Sequence, residues 1–343
     1  MNNTVICALG LLVAPSVQAF HINLVEDNSN GLFTTEARDG FRQAASLWEQ
    51  VIATDVTINL GVKMVSLSSG AIGETDTNTV GIGYADFRSL YQASASSFVS
   101  RQVANSLIPG TLTPRYLYNN TTDLTPSLGM GKVEGAAVFV AITRSNLKAL
   151  GYDSGGVLDA SISFSTNYAF DYNRSDGIAV NQVDFVGVAA HEIGHALGFV
   201  SMVDLLDSGQ LTSAEFGPAV LDLMRYSQAS AAQGLLDLSV GVEEKYLQIG
   251  NQQFAVSTGE QNGNGYQASH FLPGTNLMRP AVATGEQIDL TEIDLAVFDA
   301  LGWSLKVVPE PAHYGAFLGL VALVAACVRR RLVRPVTTRT TSA

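Results

Sequence analysis

The stretch HEIGHALGF, residues 191–199, decides how this chain is read. It closes a run of helical spacing that begins after Asp184, which stands where an N-cap belongs, and reaches Leu197. His191 and His195 are four residues apart. A helix projects both imidazoles from one face, one turn apart, so both can reach one metal ion. Glu192 follows the first of them. Its carboxylate can sit beside the metal's open position, where it can take a proton from a bound water and pass it to a leaving amine. A zinc ion would lower the pKa of that water to about 7. Gly198 permits a sharp exit from the helix. Two histidines and a glutamate buried in an apolar helix without a partner would be costly.

Catalytic zinc takes three protein ligands and keeps a place for water, whereas structural zinc takes four. The helix supplies two. The chain holds five histidines. His21 falls in a strand pattern and His313 in the C-terminal tail, which leaves His270 as the histidine for the third place. Asp204, Glu215 and Asp222 are the acidic rivals.

The segment ASHFLPGTNLMRP, residues 268–280, places Met278 eight residues after His270, with Pro280 close behind. This resembles the third ligand and Met-turn of leishmanolysin-like metzincins, which insert a long segment before the third histidine. The stretch GEQIDLTEIDLAVFDALGW, residues 285–303, resembles the helix that closes their C-terminal subdomain. LDLMRYS, residues 221–227, is similar to bacterial metalloproteases of this kind. The resemblance runs over residues 178–303. The ordinary metzincin string would put its third histidine at residue 201, and this chain has Ser201. The resemblance implies that His191, His195 and His270 bind one catalytic Zn2+, with Glu192 as general base and acid. It implies Met278 as an apolar floor under the metal.

Upstream, Phe20–Val25 and Val56–Leu67 alternate as strands, and Thr35–Ile52 has an amphipathic helical pattern. Strand, helix, strand predicts an α/β fold: a sheet with a covering helix. Residues 68–130 are rich in Gly, Ser, Thr and Asn, and only Asp86–Leu107 suggests helix. Ala136–Ile142 is an apolar run suited to a buried central strand, and Ala160–Ser165 alternates like an edge strand lining a cleft. Such an edge can take extended peptide. Asp171, Asn173, Ser175 and Asp176 resemble part of a calcium loop, though Gly177 comes one place late and Gln182 stands where Glu is usual. With the metzincin resemblance, the expected fold is a twisted mixed sheet with covering helices and a zinc helix. It would divide into an N-terminal subdomain (20–199) and a smaller C-terminal one (200–307).

The two ends differ from the rest. Residues 1–19 carry no charged side chain and end in Val17-Gln18-Ala19, as a secretory signal peptide cut after Ala19 would. Val308-Pro309-Glu310-Pro311 precedes the uncharged stretch Ala312–Val328 and then Arg329-Arg330-Arg331. That stretch is near the lower limit for a transmembrane span, and the arginines would hold its end in the cytoplasm. The order resembles the PEP-CTERM sorting signal of Gram-negative bacteria. It implies export to the cell envelope or beyond, handling by an exosortase-type membrane protease, and membrane attachment before the tail is processed.

Of the 343 residues, 47% are hydrophobic and 15% charged, which excludes a disordered chain. Cys7 and Cys327 both fall in the terminal segments, so a disulfide scaffold and cysteine-based latency are excluded. No propeptide is read before the first strand. Residues 20–307 hold 14 Lys and Arg against 30 Asp and Glu, a charge of −16 that argues against a nucleic-acid partner. The expected activity is an exported zinc endopeptidase acting on protein or peptide. The alternatives are a non-catalytic zinc-containing surface or matrix adhesion protein, and an envelope protein with structural zinc. Neither needs a carboxylate at Glu192.

Overall fold

The structure is a computed structural model. It describes residues 19–67, 70–109, 112–119, 132–153, 155–211 and 217–306. The tail reading (308–343) and all of the signal reading (1–19) except Ala19 lie outside the described residues. Among the described residues no helix is long and apolar enough to cross a membrane.

The alternating start forms β1 (His21–Asp27), which buries Ile22 and leaves His21 exposed beside Glu49 at 2.8 Å. Next comes α1 (Thr35–Val51), whose N-cap Thr34 accepts from Ala37 N–H and whose buried face carries Phe41, Ala44, Ala45 and Trp48. The second strand is β2 (Thr57–Val65), with Ile58, Leu60, Val62 and Met64 turned inward. β1 and β2 pair in parallel, His21 opposite Thr57, so α1 is the crossover between neighbours.

The Gly- and Thr-rich stretch supplies β3 (Gly73–Thr77) and β4 (Thr79–Gly83), then α2 (Tyr84–Ser94) and α3 (Phe98–Ser106). The one helix expected over Asp86–Leu107 is therefore two. Ser97 breaks it, because its hydroxyl caps α3 in a reciprocal box with Ser100. β5 (Arg115–Asn119) pairs antiparallel with β6 (Lys132–Ala136), and β7 (Phe139–Thr143) pairs antiparallel with β4. The central strand expected over Ala136–Ile142 is thus interrupted, and it belongs to two small sheets. At the break Ala137 N–H bonds Pro114 O and Val138 stands exposed. After α4 (Arg144–Ala149) comes β8 (Ala160–Ser165).

The main sheet has the order β1-β2-β8-β3. The first three strands are parallel. β3 runs antiparallel along β8, with Gly73 opposite Phe164 and Thr77 opposite Ala160. Ala160–Ser165 is therefore an interior strand, a correction to the edge position expected for it. Its parallel neighbour β2 comes from far earlier in the chain, so alternation alone could not show that both its sides are paired. The edge is β3, whose sequence GETDT has little intrinsic strand preference.

A short parallel pair, β9 (Phe170–Asp171) and β10 (Val183–Asp184), leads into α5 (Phe185–Ala196). α5 packs against α1, β3 and β8. Phe185 fixes its start: the rings of Phe41, Phe164, Phe170 and Tyr172 lie 5.2, 4.8, 5.2 and 4.6 Å from it. Trp48 of α1 donates to Ala190 O at 2.9 Å.

Beyond α5 the chain is mostly irregular. It forms α6 (Val203–Asp207), β11 (Arg225–Tyr226), α7 (Gln228–Ala231), β12 (Leu236–Asp237), β13 (Lys245–Ile249), β14 (Gln252–Val256) and α8 (Glu292–Ala300). β11, β13 and β14 make one sheet, and β12 joins β5 and β6. The helical reading of 285–303 shrinks to α8, which begins where Thr291 and Asp294 form a capping box. The chain is a mixed α/β protein with one four-stranded sheet and several small ones. Phe185→Ala should lower stability by about 3–5 kcal/mol, seen as a lower urea midpoint at unchanged slope.

Candidate metal centre

α5 is pinned at both ends. Its N-cap Asp184 is fully buried and accepts from Gly187 N–H at 3.0 Å and Ile288 N–H at 3.1 Å. Arg174 neutralises it, Nε lying 3.0 Å from Oδ1. At the other end Phe199 N–H bonds Gly194 O and Gly198 N–H bonds His195 O, a Schellman turn. Gly198 has φ +109°, and a Cβ there would fall 1.9 Å from Asn146 Oδ1. The expected sharp exit is real, and only glycine fits it.

The structure brings together the three histidines. Their Nε2 atoms lie 3.0 Å (His191–His195), 3.2 Å (His195–His270) and 3.2 Å (His191–His270) apart. Every Nδ1 faces a backbone carbonyl. His191 donates to Leu277 O at 2.8 Å, His195 to Phe199 O at 2.7 Å and His270 to Gln267 O at 3.3 Å. These carbonyls can only accept, so Nδ1 carries the proton and Nε2 a lone pair. Burial holds all three below the ordinary histidine range, with His195 down to about 3. Burial thus favours the neutral form of each ring. Three lone pairs at one point, with no proton among them, repel unless a cation lies between. The triad could hold a metal ion.

Glu192 is 5% exposed beside the triad. Its Oε2 accepts from Thr75 Oγ1 at 2.6 Å. Burial pushes its pKa up to about 7, against the Thr75 hydrogen bond and with help from the Glu74 charge. A cleft of about 1280 Å³ opens over the site. Its walls include β3, the triad, Glu192, Tyr266 and the segment from Arg279 to Val282.

Two of the acidic rivals, Asp222 and Asp204, serve other purposes. Asp222 is fully buried, and it accepts from Ser201 Oγ at 2.6 Å, Ala219 N–H at 2.8 Å and Met202 N–H at 2.9 Å. Ser201, at the place of the ordinary third histidine, is thus a clamp on this carboxylate. Asp204 accepts from the N–H groups of Ala268 and Ser269 and so holds the approach to His270. Burial pushes its pKa up to about 6. Glu215 lies outside the described residues. Met278 is fully buried under α5, and a Cβ on Gly194 would come within 2.4 Å of its sulfur. The Asp171 loop uses its polar groups internally. Asp171 accepts from Asn173 and Ala179 N–H, and Asn173 Nδ2 donates to Asp176 at 2.9 Å.

Three residues escaped the sequence reading: Asp294, Thr75 and Gly73. Asp294 is buried and accepts from Leu277 N–H at 2.9 Å and Met278 N–H at 3.0 Å, so it sets the carbonyl that orients His191. The Thr291–Asp294 capping pattern was its visible signal. Thr75 and Gly73 lie in a stretch with no strand pattern, and nothing in the sequence marked them.

No family model, curated protein or solved structure matches the chain.

His270→Ala should abolish stoichiometric metal retention, measured as bound metal per chain after dialysis. Asp294→Asn touches no ligand, yet it should weaken metal affinity roughly 10–100-fold in a competition titration with a chromophoric chelator.

Proposed function

We propose that this chain is a zinc-dependent endopeptidase with a zincin or metzincin-like arrangement. The observation that carries the reading is the convergence of three proton-free Nε2 atoms beside a buried carboxylate on an open cleft. Tetrahedral ligands about 2.0–2.1 Å from zinc stand about 3.3–3.4 Å apart, close to the 3.0–3.2 Å separations of the triad. Three protein ligands also leave a fourth place for water, as a catalytic site needs.

Bound zinc would polarise the scissile carbonyl and bring the pKa of a water to about 7. Glu192 takes the proton from the attacking water and returns it to the leaving amine, so the carboxylate ends as it began. Leu277, Phe199 and Gln267 keep the imidazoles in one tautomer through the cycle. The outer edge of β3 pairs with no other strand among the described residues. An extended peptide can add to it through backbone hydrogen bonds, which selects unfolded or loop substrates. The terminal sequences support export to the envelope of a Gram-negative bacterium, with exosortase-type machinery and the membrane as partners of the tail.

The test is cleavage of casein by the purified chain with and without a zinc chelator. Chelation should abolish turnover and added zinc restore it. Glu192→Ala should keep stoichiometric zinc and lose at least about 10²–10⁴ in kcat. Equal inertness of both proteins, each with zinc bound, would favour the adhesion-protein alternative.

A further inference from the structure

The edge strand does more than border the cleft. Gly73 and Thr75 are two residues apart on β3, so they face the same side, and both meet Glu192. Thr75 Oγ1 lies 2.6 Å from Glu192 Oε2 and 3.0 Å from Glu192 O. A Cβ on Gly73 would fall 2.8 Å from both Cγ and Oε1 of Glu192. The glutamate side chain is therefore laid against the strand backbone and tied to it by one hydroxyl.

We infer that Thr75 is a positioning residue for the proposed general base, a role that rests on the endopeptidase reading. The Thr75 hydroxyl reaches both Oε2 and the backbone O of Glu192, so one side chain of β3 ties the carboxylate and the helix backbone that carries it to the same strand. The absence of a side chain at Gly73 lets the Glu192 carboxylate lie directly against that strand. Because the same strand offers its outer edge to peptide, the base and the substrate backbone share one rigid reference. Misplacement of a catalytic group by about 1 Å can cost on the order of 10² in rate.

The variant for the test is Thr75→Val, which keeps the shape and the β-branching suited to a strand while removing the hydroxyl. Steady-state kinetics on a peptide substrate, zinc content and thermal midpoint are measured for wild type, Thr75→Val and Thr75→Ser. The expected result is a kcat about 10–100-fold lower in Thr75→Val, with KM, zinc content and midpoint close to wild type. Thr75→Ser should recover most of the rate. A wild-type kcat in Thr75→Val overturns the inference, as does a defect confined to KM, zinc content or midpoint. A wild-type chain without chelator-sensitive cleavage overturns the endopeptidase reading and this inference with it.

Discussion

Three imidazole lone pairs aimed at one point are the constraint on which the rest of this structure depends. Such an arrangement is unfavourable until a cation fills it, so it must be held by something stronger than its own repulsion. The holders are three backbone carbonyls, those of Leu277, Phe199 and Gln267, from three different segments. Each segment is in turn fixed. The Schellman turn at Gly198 sets Phe199, Asp294 sets Leu277, and Asp204 holds the backbone just before His270. Phe271 N–H bonds Met278 O at 2.9 Å, which joins the third histidine to the floor beneath the helix.

The acidity of the domain belongs to this design. Beyond α5 little backbone is in helix or strand, so many N–H groups lack regular partners. Buried aspartates take that place. Asp184, Asp204, Asp207, Asp222 and Asp294 each accept from backbone N–H groups of other segments, and Asp237 ties Ser227 and Lys245 through their side chains. A carboxylate offers several acceptor sites, so one side chain can tie two or three loops. In a domain without cysteine these clamps do what cross-links do elsewhere. Two of the acidic rivals of His270, Asp204 and Asp222, are occupied in this way by the backbone they order.

What could be seen in the sequence was what depends on near neighbours. The apolar spacing of α1, the alternation of β2, Asp184 as N-cap and the glycine exit at 198 are local preferences, and they appear where expected. The strands that were misread depend on distant partners. Ala160–Ser165 alternates like an edge because alternation reports which face is buried, not how many strands flank it. Ala136–Ile142 reads as one strand because apolar content does not show a change of sheet at Val138. β3 was invisible because GETDT is stabilised by pairing with β8 and by contact with α5.

The sequence by itself determined the two-histidine helix, its carboxylate and its end, because a 3.6-residue period and a glycine suffice for them. It also narrowed the third histidine to His270 by leaving no other candidate of that type in the domain. Only the tertiary structure decided that His270 reaches the other two, since His195 and His270 are 75 positions apart in the chain. It alone decided which nitrogen of each ring is free, because the tautomer depends on carbonyls brought from elsewhere. And it alone placed Thr75 on Glu192, across 117 residues, where no local preference could have announced the bond.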